Sequence, residues 1–364
     1  MPPCIASKVS KNSAGCQPYA KPMKVFWDDV QMTHAPHFFL QRGLVRANFD
    51  IPARATSLLE GVRALGLVTQ APPPADMAAV AAVHDPAYLA FLRDSPAAWN
   101  ALPEKGPELV PNVHPSPEML ANGARPGPTV IGQLGWFTAD TSCPIAAETW
   151  PAAIAAAAGA IAAADEAAAG RHAYALARPP GHHAYAARAG GHCYLNNAAI
   201  AAERLRARGA ARVAVLDIDS HHGNGTQGIF WQRPDVLFIS IHGNPEGYYP
   251  WYVGHATERG AGPGAGLNLN MPLPRGSGDD PWLEALTNGL AAIKAFGADA
   301  LVLSLGFDAS EHEPLGFLQV TADGFEQAAT AIAALRLPTA VIQEGGYNTD
   351  LLGTLLERSL RPFL

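Results

Sequence analysis

The 364-residue chain is poor in cysteine, in charge and in long apolar runs, and each scarcity removes a class of function. Its four cysteines, Cys4, Cys16, Cys143 and Cys193, lie far apart and form no C-x-x-C pair, so neither a cysteine zinc cluster nor a disulfide framework is expected; a reducing, cytoplasmic setting fits. Charged residues make up 16% of the chain, the net charge is −7 and no Lys/Arg run stands out, which leaves no electrostatic footprint for nucleic acid. No uninterrupted apolar run reaches the roughly 18 residues that span a bilayer, and the N-terminus has no compact apolar core of a secretion signal, so membrane insertion has no support. The Ala-rich stretch near 151–169 is read as a helix of a soluble protein.

What is abundant is apolar residues, 48% of the chain, with 35 glycines and 32 prolines: a well-buried enzyme with many ordered loops. Residues 1–22 are polar and Pro/Ser/Lys-containing and read as an N-terminal extension, a leader or an early start, excluded from the fold. From Met23-Lys24-Val25-Phe26-Trp27, a first strand, residues 23–364 read as one catalytic domain. Beyond 148, helices alternate with short apolar runs. Strands are expected at 173–177, 212–218, 236–241, 300–305 and 340–343, with helices from Pro151 to Gly170 and at 197–208, 280–296 and 322–335. Runs of Val, Ile and Leu without polar alternation mean strands buried on both faces, hence a single-domain α/β fold with a mainly parallel central sheet and helices on both sides. Seven prolines between 103 and 128 set 100–145 apart as a long loop insert, of the kind that forms lids or interfaces.

In such a fold, sites lie at the carboxyl ends of the strands. One strand runs into Asp217-Ile218-Asp219-Ser220-His221-His222, and extended backbone repeating every second residue puts Asp217, Asp219 and His221 on one side. A second apolar run ends in Asp308, a third is followed by Pro179-Pro180-Gly181-His182-His183, and a fourth by Glu344-Gly345-Gly346-Tyr347. Carboxylates crowded at the edge of an apolar sheet repel one another and lose hydration, so a cation among them is the economical explanation. Two carboxylates and one imidazole suit zinc and leave one position open, as in catalytic sites. A neighbouring His182 or His183 then serves as acid and base, and Tyr347 as a donor to a developing oxyanion. Taken singly, each feature has a plainer explanation: a strand-end Asp commonly caps a helix, and a His pair on a loop is commonly a hydrogen-bonded turn. Their order and spacing together favour the site.

The strings RPPGHHA, GGHCYLNNAAIAA, VLDIDSHHGNGTQ, SIHGNPEGYYP, ERGAGPG, LSLGFDAS with EPLG, and QEGGYN resemble the histone deacetylase superfamily, in particular its bacterial class II-like members and acetylpolyamine amidohydrolases. The resemblance runs in family order over 178–348 and more weakly over 23–353. It implies an arginase/deacetylase-like fold and one zinc held by Asp219, His221 and Asp308. It further implies His182 and His183 as the tandem acid/base pair, supported by Asp217 and Asn224 respectively, and Tyr347 as the electrophilic tyrosine. A structural potassium near Asp217, Asp219, His221 and Ser240 is implied too, with a substrate tunnel walled by His192 and Tyr249. His192 departs from the usual Phe or Tyr. Leu315 stands where a polyamine-selective relative carries a gating glutamate, and Ile131 and Phe39 stand near positions that are acidic in acetylpolyamine amidohydrolases. The implied substrate is a small acetylated amine or an acyl-lysine, and the 100–145 insert implies a homodimer or higher homo-oligomer. Two alternatives stay open: a ureohydrolase-like small-amide hydrolase with two manganese ions, and a binding module for acetylated amines without catalysis.

Overall fold

The computed structural model describes residues 23–364, so the expected extension 1–22 lies outside the described residues. Eight strands form one wholly parallel sheet: β1 (Lys24–Phe26), β4 (Thr69–Gln70), β5 (Ala173–Ala175), β6 (Val213–Asp217), β7 (Val236–Gly243), β8 (Asn268–Leu273), β9 (Ala300–Leu305) and β10 (Thr339–Gln343), in the order β4-β1-β5-β10-β9-β6-β7-β8. A two-stranded antiparallel hairpin, β2 (Phe38–Gln41) and β3 (Leu44–Ala47), stands apart from it.

Both sheet faces are covered because successive side chains of each strand belong to different cores. Val213 and Val215 of β6 pack with Ala300 and Val302 of β9 on one face, beneath the Thr149–Ala168 and Asn197–Ala207 helices. Ala214 and Leu216 pack with Leu301, Leu303 and Leu305 on the other, beneath the Pro52–Ala64, Asp279–Phe296, Ala322–Ala333 and Leu352–Leu360 helices.

The Thr149–Ala168 helix is the Ala-rich helix expected from Pro151 to Gly170. At 20 residues it is, by length and mean hydropathy, sufficient to cross a membrane, but 72% of its apolar window is buried inside the protein, where alanines let it lie close to the sheet and to the Asn197–Ala207 helix. It stops at Gly170, whose φ of +80° only glycine adopts without strain, and Arg171 folds back onto Glu166 at 2.5 Å. The 100–145 insert is less irregular than its prolines suggest: Pro117–Ala121 and Val130–Phe137 are helical, started by Ser116 and Thr129, whose hydroxyls accept the N–H of Met119 and Gly132. Phe137 is core, stacked on Phe91 at 5.0 Å between ring centres.

Candidate active site

The side chains singled out by sequence gather where β5, β6, β9 and β10 end. β6 stops at Asp217, so the even spacing of Asp217, Asp219 and His221 does not put all three on one side, as strand geometry predicts. Beyond the strand the chain turns back twice on its own carboxylates: Asp217 Oδ1 accepts the Asp219 N–H at 3.1 Å, and Asp219 Oδ1 accepts the His221 N–H at 2.9 Å. These turns send Asp217 behind the site, toward His182, and leave Asp219 and His221 in front.

Asp219, His221 and Asp308 each offer one ligand atom, all within 4.8 Å of one another. His221 Nδ1 lies 2.7 Å from Asp308 Oδ2 and 3.3 Å from Asp219 Oδ1. The remaining oxygens are tied down by backbone, Asp308 Oδ1 by Ser220 N–H at 2.7 Å and Asp219 Oδ2 by Gly345 N–H at 2.8 Å. Asp308 is thus bound across the sheet rather than capping a helix. A Cβ on Gly306 would stand 2.1 Å from Asp219 Oδ2, and one on Gly345 2.6 Å from it and 2.7 Å from Asp308 Oδ2, so both glycines are required for the two carboxylates to approach. Burial and the neighbouring Asp219 push the Asp308 carboxyl up from its ordinary value. Two fully buried carboxylates beside one imidazole, braced at their outer oxygens, are a donor set that fits a zinc ion.

The tandem histidines sit on the Pro179–His183 loop, held by Glu344, whose Oε2 accepts the N–H groups of Gly181 (2.7 Å) and His182 (3.1 Å). Their rings lie 4.0 Å apart. His182 Nδ1 meets Asp217 Oδ2 at 2.9 Å and His183 Nδ1 meets Asn224 Oδ1 at 2.6 Å, which leaves Nε2 of each for the site; His182 Nε2 is 3.8 Å from Asp219. The partners set opposite protonation. Burial penalises both imidazolium forms, but the Asp217 and Asp219 carboxylates outweigh it at His182 and hold its pKa well above the usual imidazole range. At His183 burial acts together with the adjacent His182 and His221, the amide of Asn224 compensates little, and the pKa falls well below that range.

A cavity of about 580 Å³ opens from this cluster to the surface, lined by His183, His221 and Tyr347 below and by His192, Tyr249 and Leu315 among its walls. Phe39 is also in the wall, whereas Ile131 is exposed and does not line it. Burial lowers the His192 pKa to about 4, so this wall is a neutral imidazole at pH 7 and not the titratable surface its residue type suggests. Ser240 is paired in register with Asp217 across β6 and β7, and its hydroxyl engages the rings of His242 (2.8 Å) and His222 (3.3 Å).

Three supports of Tyr347 escape a reading by sequence. Glu313, from the EPLG string, accepts the Tyr347 N–H with both oxygens, at 3.0 and 3.1 Å. Arg54 lies 4.8 Å over the Tyr347 ring and donates to the carbonyls of Glu344 (2.6 Å) and Gly346 (2.5 Å). Asp50 joins Arg54 (2.7 Å) to a second buried guanidinium, Arg178 (3.0 Å). A charged residue beside a catalytic string was the available signal for Glu313; for Arg54, inside an ordinary amphipathic helix, there was none.

The histone deacetylase domain matches residues 49–362, nearly the whole described chain. The chain belongs to the histone deacetylase family. Full-length relatives agree. The acetylpolyamine amidohydrolase of Burkholderia pseudomallei is 45% identical over 91% of this chain and 95% of that protein, and acetylpolyamine amidohydrolase 1 of Pseudomonas aeruginosa is 42% identical over the same shares. The crystal structure of the Burkholderia pseudomallei acetylpolyamine aminohydrolase superposes with a TM-score of 0.89 at 44% identity, covering 94% of this chain and 98% of that one. As a member of this family the chain is an enzyme of the deacetylase and amidohydrolase class, on the parallel α/β fold that its strand pattern implies.

Proposed function

We propose that this protein is a zinc-dependent amidohydrolase that removes acetyl groups from acetylated amines, with acetylpolyamines, named in its relatives, and acetyl-lysine as the substrate classes. The observation that carries the reading is the convergence of an Asp219–His221–Asp308 donor set, two oppositely tuned histidines and a half-buried tyrosine at one end of one cavity. Zinc held by the three donors supplies a Lewis acid for the scissile carbonyl and for water.

The chain's own groups do the rest. Neutral His183, its Nδ1–H fixed on Asn224, takes a proton from water at Nε2 and returns it to the leaving nitrogen. His182 keeps its proton through Asp217, adds positive charge near the developing oxyanion and keeps His183 neutral. Burial pushes the Tyr347 phenol well above its ordinary pKa, so it stays a hydrogen-bond donor to that oxyanion. Tyr248, stacked on His221 at 4.4 Å, and Tyr249, edge-on to His183 at 4.8 Å, exclude water beside the imidazoles. The register pairing of Asp217 with Ser240 supports a potassium ion behind the site, and the exposed Val113, Met119 and Ile131 of the insert support self-association.

The test is acetate release by zinc-loaded protein from a panel of acetylated amines, with Tyr347→Phe beside it. Turnover is expected to fall about 10²- to 10³-fold at unchanged zinc content. A panel without turnover, or a Phe variant as fast as the parent, overturns the reading.

A further inference from the structure

The outer lip of the cavity differs in charge from its floor. Arg42, Arg46 and Arg275 line it, and Asp140 is the one Asp or Glu among the described residues that does so. The Asp140 carboxylate is already engaged: it accepts Tyr249 O–H at 2.6 Å, Ser142 N–H at 2.7 Å and Gly191 N–H at 3.2 Å, and so braces the wall. Among the described residues no carboxylate pairs with any of the three arginines, although most other arginines have one. Residues 1–22 contain no Asp or Glu that could do so.

The fold sets where each arginine stands on the lip. Arg42 and Gly43, with φ of 53° and 75°, form the two-residue turn of the β2–β3 hairpin, in which two left-handed residues match the strand twist. Leu40 and Thr141 tie that hairpin to the insert at 3.4 Å. Arg46 is paired with Phe39 in register, and cross-strand partners share a face; Phe39 packs on His192 in the cavity wall, so Arg46 is carried on the cavity side. Arg275 lies 4.3 Å over the ring of Phe317, which packs on Tyr248 at 4.5 Å, which in turn stacks on His221. A continuous stack thus runs from the lip to the metal-binding imidazole.

A bound amide puts its carbonyl at the floor and its amine portion toward the lip, so the lip meets whatever the amine carries at its far end. We propose that this lip selects acylated amines ending in a carboxylate, that is, small acylated ω-amino acids, over the acylated polyamines named in the relatives. Three unpaired guanidinium groups repel a terminal ammonium and bind a carboxylate with charge-assisted, bidentate hydrogen bonds. This rests on the hydrolase reading above and changes the substrate class within it.

Three isosteres separate the two ideas: 5-acetamidopentanoate, N-acetylputrescine and N-pentylacetamide, which differ only in a terminal carboxylate, ammonium or methyl. At low ionic strength, kcat/KM for the carboxylate is expected to exceed that for the ammonium about tenfold or more. Removing the lip charges together in the R42Q/R46Q/R275Q variant is expected to lower that ratio about tenfold or more, at about two- to fivefold per exposed charge, and added salt to lower it in the parent. An ammonium amide cleaved as fast as the carboxylate, or a ratio indifferent to the triple substitution, overturns the proposal. Lack of turnover for all three refutes the hydrolase reading instead. The charge order is then read from calorimetric Kd values with zinc-loaded protein, where weaker or undetectable binding of the carboxylate relative to the ammonium overturns the proposal as well.

Discussion

Arg54 holds the Gly345–Tyr347 turn of the site without touching the proposed metal donors. Replacing it by methionine keeps the volume and removes three charge-assisted hydrogen bonds, to Asp50 Oδ1 at 2.7 Å, Glu344 O at 2.6 Å and Gly346 O at 2.5 Å. Breaking a buried ion pair from one side costs about 3–5 kcal/mol. Arg178 still faces Asp50 at 3.0 Å, so the carboxylate is not stranded and the lower end, about 3 kcal/mol, applies. For a chain of this size that lowers Tm by roughly 6 °C, at about 2 °C per kcal/mol. Two carbonyls that frame the Gly345–Tyr347 turn lose their donor, and the ring of Tyr347 loses the cation over it. Turnover is therefore expected to drop by about tenfold or more. Arg54→Lys should recover part of the stability through Asp50 but little of the turnover, since one ammonium cannot span two carbonyls as the guanidinium fork does. Thermal melts and steady-state kinetics measure both. A methionine variant melting within about 1 °C of the parent, with unchanged kcat, refutes the role of this network.

Two further outcomes rest on single side chains. His84 is buried between Asn196 N–H, which donates to Nε2 at 2.9 Å, and the Ala186 carbonyl, 3.2 Å from Nδ1, an arrangement only the neutral ring satisfies; burial lowers its pKa from 6.5 to about 4. The folded state then binds fewer protons than the unfolded one between those values, so this contribution is full above pH 6.5, where it reaches about 3 kcal/mol, and is lost as pH falls toward 4. An NMR titration in which the His84 ring protonates near pH 6.5 contradicts this. Gly345→Ala places a methyl group 2.6 Å from Asp219 Oδ2, and zinc affinity measured against a chelator is expected to fall about 10- to 100-fold; undiminished affinity would show that the carboxylates do not need that space.

The sequence alone determined the layered fold, because the β6, β7, β9 and β10 segments are apolar on both faces and only burial on both sides accommodates that. It also pointed to Asp219, His221, Asp308, His182, His183 and Tyr347 as candidate site residues, since they follow strand ends, and the fold brings them together. Other features were invisible locally. The β2–β3 hairpin has no apolar alternation on a buried face, and Thr69–Gln70 is two residues long, so neither declares itself before the sheet exists. Only tertiary structure decided which carboxylate stands behind the histidines and which in front, through turns that close on Asp217 and Asp219 after the strand has ended. Tertiary structure also decided that Arg54, 292 residues before Gly346, holds the tyrosine turn, and that Arg275 joins the hairpin arginines Arg42 and Arg46 at one lip. Period and composition report which face of an element is buried; which charges meet across 100 residues or more is settled by packing, because an unpaired charge is tolerable in the unfolded chain and costly only once it is buried.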